Sequence, residues 1–209
     1  MSELTLYTYF RSSAAFRVRI ALNLKGLERD DKFVHLLKDG GQQFAEDYRK
    51  LNPQALVPTL VHREQAINQS LAIIELLEEA FPEPPLLPGE LAGRARVRAL
   101  AYAVACDIHP LNNLRVRKYL HNTLAQSDEQ ILAWQVHWMT LGFDALETML
   151  ADAPETGRFC YGDAPTLADV CLIPQLANAR GAKMDLSAWP TLTRIQESGQ
   201  LIGRLLDAR

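Results

Sequence analysis

Leu4-Thr5-Leu6-Tyr7-Thr8-Tyr9-Phe10-Arg11-Ser12-Ser13-Ala14-Ala15-Phe16-Arg17-Val18-Arg19-Ile20-Ala21-Leu22 opens the chain with a change of period. Leu4, Leu6 and Thr8 alternate with Thr5, Tyr7 and Tyr9, the two-residue repeat of a strand. Arg11-Ser12-Ser13 then turns the chain. Residues 14–25 are rich in helix formers, and Gly26 stands where a helix C-terminus is expected to close. A strand that runs straight into a helix through a Ser-rich turn is the first half of a β-α-β unit.

The next residues continue it. Residues 31–37 read as a second strand, followed by the polar Lys38-Asp39-Gly40-Gly41-Gln42-Gln43. Residues 44–50 read as a short helix that stops before Asn52-Pro53. A third strand begins at Val57-Pro58-Thr59-Leu60-Val61, turns through Arg63-Glu64-Gln65 and returns over 66–68. Ser70 is expected to cap a helix whose apolar positions are Leu71, Ile74, Leu77 and Phe81, and Pro82 ends it. The predicted order is β-α-β-α-β-β-α. Pro82-Glu83-Pro84-Pro85-Leu86-Leu87-Pro88-Gly89 has the composition of a linker. Beyond it the pattern is helical: 91–120, 128–150, 166–180 and 192–206. The expected fold is therefore an α/β domain over 1–82, a linker over 83–90 and an all-α domain over 91–209.

Composition narrows the function. The 209 residues are 48% hydrophobic, enough for packed cores, and carry a formal net charge of −3. That charge offers no general attraction to nucleic acid or to an anionic membrane, so an anion site has to be a local cluster of Arg or Lys. The N-terminus lacks the pattern of a signal peptide, and no apolar run approaches the ~18 residues of a membrane span. Three cysteines, Cys106, Cys160 and Cys171, form no CxxC pair and suggest neither a disulfide framework nor a metal site. In apolar surroundings they read as small core residues. Trp134 and Trp138, four apart, read as packing.

Five features bear on chemistry, and each has a plain structural reading beside it. Ser12 and Ser13 suit a helix cap, and caps are far commoner than active sites. The alternative is a hydroxyl that, together with the helix N-terminus, favours thiolate over thiol in a bound ligand. Val57-Pro58 is either an ordinary trans step at a strand start or a cis turn whose Val57 backbone pairs with an extended peptide. Gln69-Ser70 either opens a helix only, or holds a carboxylate at Ser70 and an ammonium or amide at Gln69. Thr166-Leu167-Ala168-Asp169 is a structural capping box. Arg11, Arg115, Arg117 and Arg180, with His109 and Asn113, are either solvated charges or a carboxylate grip, for which the planar guanidinium is suited.

In order and spacing, the Ser12 turn, Val57-Pro58 and Gln69-Ser70 resemble the thioredoxin-like N-terminal domain of glutathione S-transferases. Residues 11–22, Lys38-Asp39-Gly40-Gly41-Gln42-Gln43-Phe44, Val57-Pro58-Thr59-Leu60 and Gln69-Ser70-Leu71-Ala72-Ile73-Ile74-Glu75 resemble the zeta class. Ile108-His109-Pro110-Leu111-Asn112-Asn113-Leu114-Arg115 is similar to the corresponding segment of its bacterial maleylacetoacetate isomerases. One position departs: the class signature reads Ser-Ser-Cys, and the third residue here is Ala14.

The resemblance implies a glutathione-dependent cis–trans isomerase that converts maleylacetoacetate to fumarylacetoacetate in tyrosine and phenylalanine breakdown. It implies glutathione as cofactor, no metal, a two-fold homodimer and a cytoplasmic location. It implies catalytic roles for Ser12, Ser13 and Arg11. Glutathione contacts are expected from Ser12, Ser13, Gln43, Val57, Pro58, Gln69, Ser70, His109, Asn113 and Arg115, and a grip on the substrate carboxylates from Arg11, Arg115 and Arg180. The alternatives are maleylpyruvate isomerisation, conjugation or dehalogenation by a transferase, and non-catalytic glutathione binding. Leu114, where a further Arg is expected in a maleylpyruvate enzyme, favours the first reading.

Overall fold

The computed structural model describes residues 3–202, which divide into two compact units between Leu86 and Leu87. The break falls inside the proline-rich 83–90 segment.

The first unit is a four-stranded sheet in the order β2-β1-β3-β4. Strand β1 (Leu4–Thr8) buries Leu4, Leu6 and Thr8 on one face, as its alternation requires. It pairs in parallel with β2 (Asp30–Phe33), because helix α1 (Ser13–Leu24) carries the chain back across the sheet between them. Strand β3 (Thr59–His62) is antiparallel to β1, and β4 (Gln65–Asn68) is antiparallel to β3. Helix α3 (Ser70–Ala80) packs on α1, burying Ile73, Ile74 and Leu77. A short α2 (Glu46–Leu51) lies between β2 and β3. Gly26 closes α1 with φ +64°, the left-handed backbone that a residue without Cβ adopts at no steric cost.

The second unit is helical: α4 (Leu91–Tyr102), a π-helical continuation (Ala103–Ile108), α5 (His109–Leu111), α6 (Leu114–Asn122), α7 (Asp128–Ala151), α8 (Leu167–Gly181) and α9 (Pro190–Ile202). Ser127 and Gln130 form a capping box that starts α7. Helix α8 is its core element. Residues 167–176 are all buried, against α4 and α9.

Several expectations are corrected. The second strand ends at Phe33 rather than at residue 37, because His35 turns the chain. The third strand starts at Thr59, not Val57. The short helix begins at Glu46, after a 3-10 turn at Gln42–Phe44. Ser70 is the first helical residue of α3, and Gln69 (φ 72°) occupies the cap position. The expected helix over 91–120 is broken at Asn112-Asn113, where Asn113 caps α6. The last helix begins at Pro190, and its expected stretch from 203 to 206 lies outside the described residues. Cys106 is exposed, unlike Cys160 and Cys171, because the π-helical turn leaves it facing outward.

Candidate active site

Strand register alone brings the N-terminal signals together. Tyr7 pairs with Thr59, and Thr59 pairs with Asn68. The end of β1, the start of β3 and the end of β4 therefore lie side by side. Three segments leave this one edge: the turn to Ser12 and Ser13, the Val57-Pro58 step, and Gln69-Ser70. Thr8 pairs with Phe33, so the loop that carries Gln43 leaves the same end.

Ser12 caps α1. Its backbone is extended (φ −87°, ψ 113°), and its Oγ accepts from the Ala15 N–H at 3.2 Å. That bond uses an oxygen lone pair and leaves the hydroxyl hydrogen to donate elsewhere. The cap and a thiolate donor are thus compatible roles for one side chain. Ser13, the first residue of the helix, is buried. No acidic residue occupies the first turn to oppose an anion at the helix N-terminus. Arg11 is exposed, with its guanidinium 5.3 Å from the Phe10 ring centroid.

Val57-Pro58 is cis. The residues around it are pinned by side chains. Tyr48 Oη donates to the Leu56 carbonyl at 2.5 Å, and Asn52 Nδ2 donates to the same oxygen at 2.8 Å. Thr59 Oγ1 donates to Asn68 Oδ1 at 2.8 Å and accepts from Asn52 Nδ2 at 3.2 Å. Burial pushes the Tyr48 phenol above its usual range, which keeps it a neutral donor. Among the described residues, the peptide N–H and C=O of Val57, between these anchors, have no hydrogen-bond partner.

Gln69 Nε2 donates to Gln54 Oε1 at 2.6 Å, and Gln54 N–H in turn donates to Asn52 Oδ1 at 3.0 Å. Ser70 is buried, and its Oγ accepts from Arg17 Nη1 at 3.4 Å. Arg17 is 1% exposed, so a full positive charge sits behind the α3 N-terminus. The sequence reading did not single out Arg17, Tyr48, Asn52 or Thr59. Arg17 and Arg19 alternate on a basic, apolar helix, and nothing in their spacing tells a buried guanidinium from a solvated one. Arg19 is also buried. It donates to Thr8 Oγ1 at 2.7 Å, and desolvation lowers its pKa.

Gln43 is buried. Its Nε2 donates to the Leu36 carbonyl at 3.3 Å, and its Oε1 has no hydrogen-bond partner among the described residues. A Cβ on Gly41 (φ +113°) would stand 2.7 Å from the Gln43 amide, so the loop requires glycine there.

The remaining candidates belong to the helical unit. His109 is half-buried, with its Nε2 3.4 Å from Asn113 Nδ2, while Asn113 Oδ1 accepts from the Arg115 N–H at 3.1 Å. Arg115, Arg117 and Arg180 are exposed. A separate concavity of about 430 Å³, lined by Phe44, Glu46, Arg49, Lys50 and Pro53, contains none of the candidate residues. Among the described residues, no group of three His, Cys, Asp or Glu side chains is placed to hold a metal, and no helix is long and apolar enough to cross a membrane.

The site fits a tripeptide with a terminal carboxylate and a thiol. Val57 offers a strand-like donor and acceptor, and Ser70 offers a hydroxyl at a helix N-terminus backed by Arg17. Gln43 offers a buried acceptor without a partner, and Ser12 a hydroxyl at the other helix N-terminus.

Comparison with known proteins agrees. Residues 6–85 match the glutathione S-transferase N-terminal domain and residues 142–199 its C-terminal domain. A probable maleylacetoacetate isomerase of Vibrio cholerae is 47% identical over 195 residues, 93% of this chain and 90% of that protein. The holo structure of a maleylpyruvate isomerase, described as a bacterial zeta-class glutathione S-transferase, superposes with a TM-score of 0.90 at 45% identity. It covers 96% of this chain and 92% of its own. A maleylacetoacetate isomerase from Anaeromyxobacter dehalogenans, solved with dicarboxyethyl glutathione and citrate in its active site, gives a TM-score of 0.81 at 40% identity, covering 98% and 93%. This chain belongs to the glutathione S-transferase family and groups there with the zeta-class maleylacetoacetate and maleylpyruvate isomerases.

Proposed function

We propose that the protein is a glutathione-dependent cis–trans isomerase that converts maleylacetoacetate to fumarylacetoacetate. The observation that carries this reading is the convergence at one sheet end of the Ser12 cap, the unpartnered Val57 peptide groups and Ser70. Relatives with this chemistry in their names cover more than nine-tenths of the chain. Dicarboxyethyl glutathione in one of them is what addition of glutathione's sulfur to a four-carbon unsaturated diacid leaves behind.

When bound, glutathione would supply a thiolate, the nucleophile whose reversible addition to the electron-poor alkene would let the bond turn while single and re-form trans. The protein's residues do the rest. The Ser12 hydroxyl and the α1 N-terminus hold the sulfur ionised, since a donor and a partial positive charge both favour the anion. Val57 pairs with the cofactor backbone, and Ser70 and Gln69 receive its charged end. Gln43 accepts from its far arm. Arg11, Arg115 and Arg180 grip the substrate carboxylates and stabilise the enolate charge that addition creates, with His109 and Asn113 contributing polar contacts. Ala14 replaces the signature cysteine without removing any of these groups, because the reacting sulfur comes from glutathione. We assign the reaction to tyrosine and phenylalanine breakdown in the cytoplasm, and the active form to a homodimer.

Two assays test this. Maleylacetoacetate should isomerise with added glutathione and not without it. Ser12→Ala should lower kcat/KM by about 10²–10³, the scale for losing one charge-stabilising donor. Undiminished turnover would remove Ser12 from the mechanism. Maleylpyruvate, favoured by the similarity to a maleylpyruvate isomerase, is the second candidate substrate; a higher kcat/KM for it would transfer the assignment.

A further inference from the structure

We propose that His35 is a positioning residue for the glutathione site: its neutral imidazole, with Nδ1 as acceptor, holds the 35–43 loop in the shape that presents Gln43. The proposal rests on the glutathione reading and adds a residue to it.

The loop is closed by reciprocal bonds. His35 N–H donates to Gln42 Oε1 at 2.9 Å, and Gln42 N–H donates back to the His35 carbonyl at 2.9 Å. Inside this ring of bonds, the backbone N–H groups of Leu37 and Lys38 both donate to His35 Nδ1, at 3.2 and 2.9 Å. Backbone N–H groups can only donate, so Nδ1 must be the unprotonated nitrogen and any ring hydrogen sits on Nε2. The Leu36 carbonyl is thereby left to face Gln43 Nε2 at 3.3 Å. The outer face of the imidazole meets the Tyr9 ring edge-on at 4.9 Å and Phe10 at 6.4 Å. Tyr9 also accepts the Ser12 N–H on its carbonyl at 3.0 Å. One half-buried ring thus ties the Gln43 loop to the Ser12 turn.

Without an acceptor at this position both bonds are lost, and the turn at 37–38 loses its only side-chain acceptor among the described residues.

The test is calorimetric titration with S-methylglutathione at pH 7.5. His35→Asn places an amide oxygen where Nδ1 stands and should bind within about twofold of the wild type. His35→Phe, which offers no acceptor, should bind about fivefold more weakly, the scale of one or two net hydrogen bonds, with kcat at saturating glutathione within about twofold of the wild type. Wild-type affinity in His35→Phe, or the same loss in His35→Asn, would overturn the role. Nitrogen–proton correlation spectra of the unliganded wild type provide a readout independent of the ligand. The neutral ring should carry its hydrogen on Nε2, and a hydrogen on Nδ1 would overturn the proposal. A wild type that does not bind, with the ring in the expected tautomer, would instead count against the glutathione reading, and the loop-positioning role would fall with it.

Discussion

Ser12 and Ser70 keep a free hydroxyl hydrogen beside their structural bonds, as the proposed function requires. Ser12 spends an oxygen lone pair on Ala15 and keeps its hydrogen. Ser70 takes a hydrogen from Arg17 on its oxygen and likewise keeps its own. Both were visible in the sequence as residues opening helices. Arg17 was not, because the sequence shows a charge but not the buried pocket that fixes it. Its side chain is the largest fully buried one among the described residues. Arg17→Met should raise the glutathione Kd about tenfold, the scale of a charge-assisted contact, while the same change in a Ser70→Ala background should add little. Titration calorimetry on the two single variants and the double variant checks it, and full additivity would place Arg17 outside the cofactor site.

At the scale of elements, each unit contains a buried polar cluster that fixes its own elements. Asp169 is fully buried at the start of α8 and accepts from Cys160 N–H, Thr166 N–H and the Thr166 hydroxyl, each at 2.8 Å. Desolvation raises its pKa against the pull of those donors, and burial beside Asp169 drives the Cys160 thiol well up. Thr166→Ala loses one donor and should cost about 0.5–2 kcal/mol. Asp169→Ala orphans three donors and should cost about 3–5 kcal/mol, with each buried unsatisfied group worth about 1–3. Urea unfolding separates the two. Lys25 is the counterpart in the first unit. Its fully buried ammonium donates to the Phe81 and Pro84 carbonyls at 2.7 and 2.9 Å and pairs with Glu78 at 2.8 Å, while both Glu78 oxygens accept the Leu86 N–H at 3.0 Å. Lys25→Met should therefore cost about 3–5 kcal/mol by leaving a carboxylate half-compensated, read as a fall in Tm with the wild-type kcat retained. The capping box at Thr166 was legible, since it is a local pattern. The Lys25 clamp was not, since its partners lie more than fifty residues away. Strand ends were misplaced for a different reason: His35 and the pinned Leu56 carbonyl stop strands through local side-chain bonds that hydrophobic alternation does not register.

At the scale of the whole molecule, the order of elements was legible because helix and strand periods differ and prolines mark the break near residue 86. The convergence of Ser12, Val57 and Ser70 was legible only through resemblance. Spacing names three caps and turns, and it takes the sheet register to put them at one end. The direct measurement of the central claim is a crystal of the protein soaked in glutathione. The account predicts the cofactor paired along the Val57 peptide groups, its carboxylate at Ser70 and its sulfur within hydrogen-bonding reach of the Ser12 hydroxyl. An empty edge, or a sulfur remote from both Ser12 and Ser13, would contradict it.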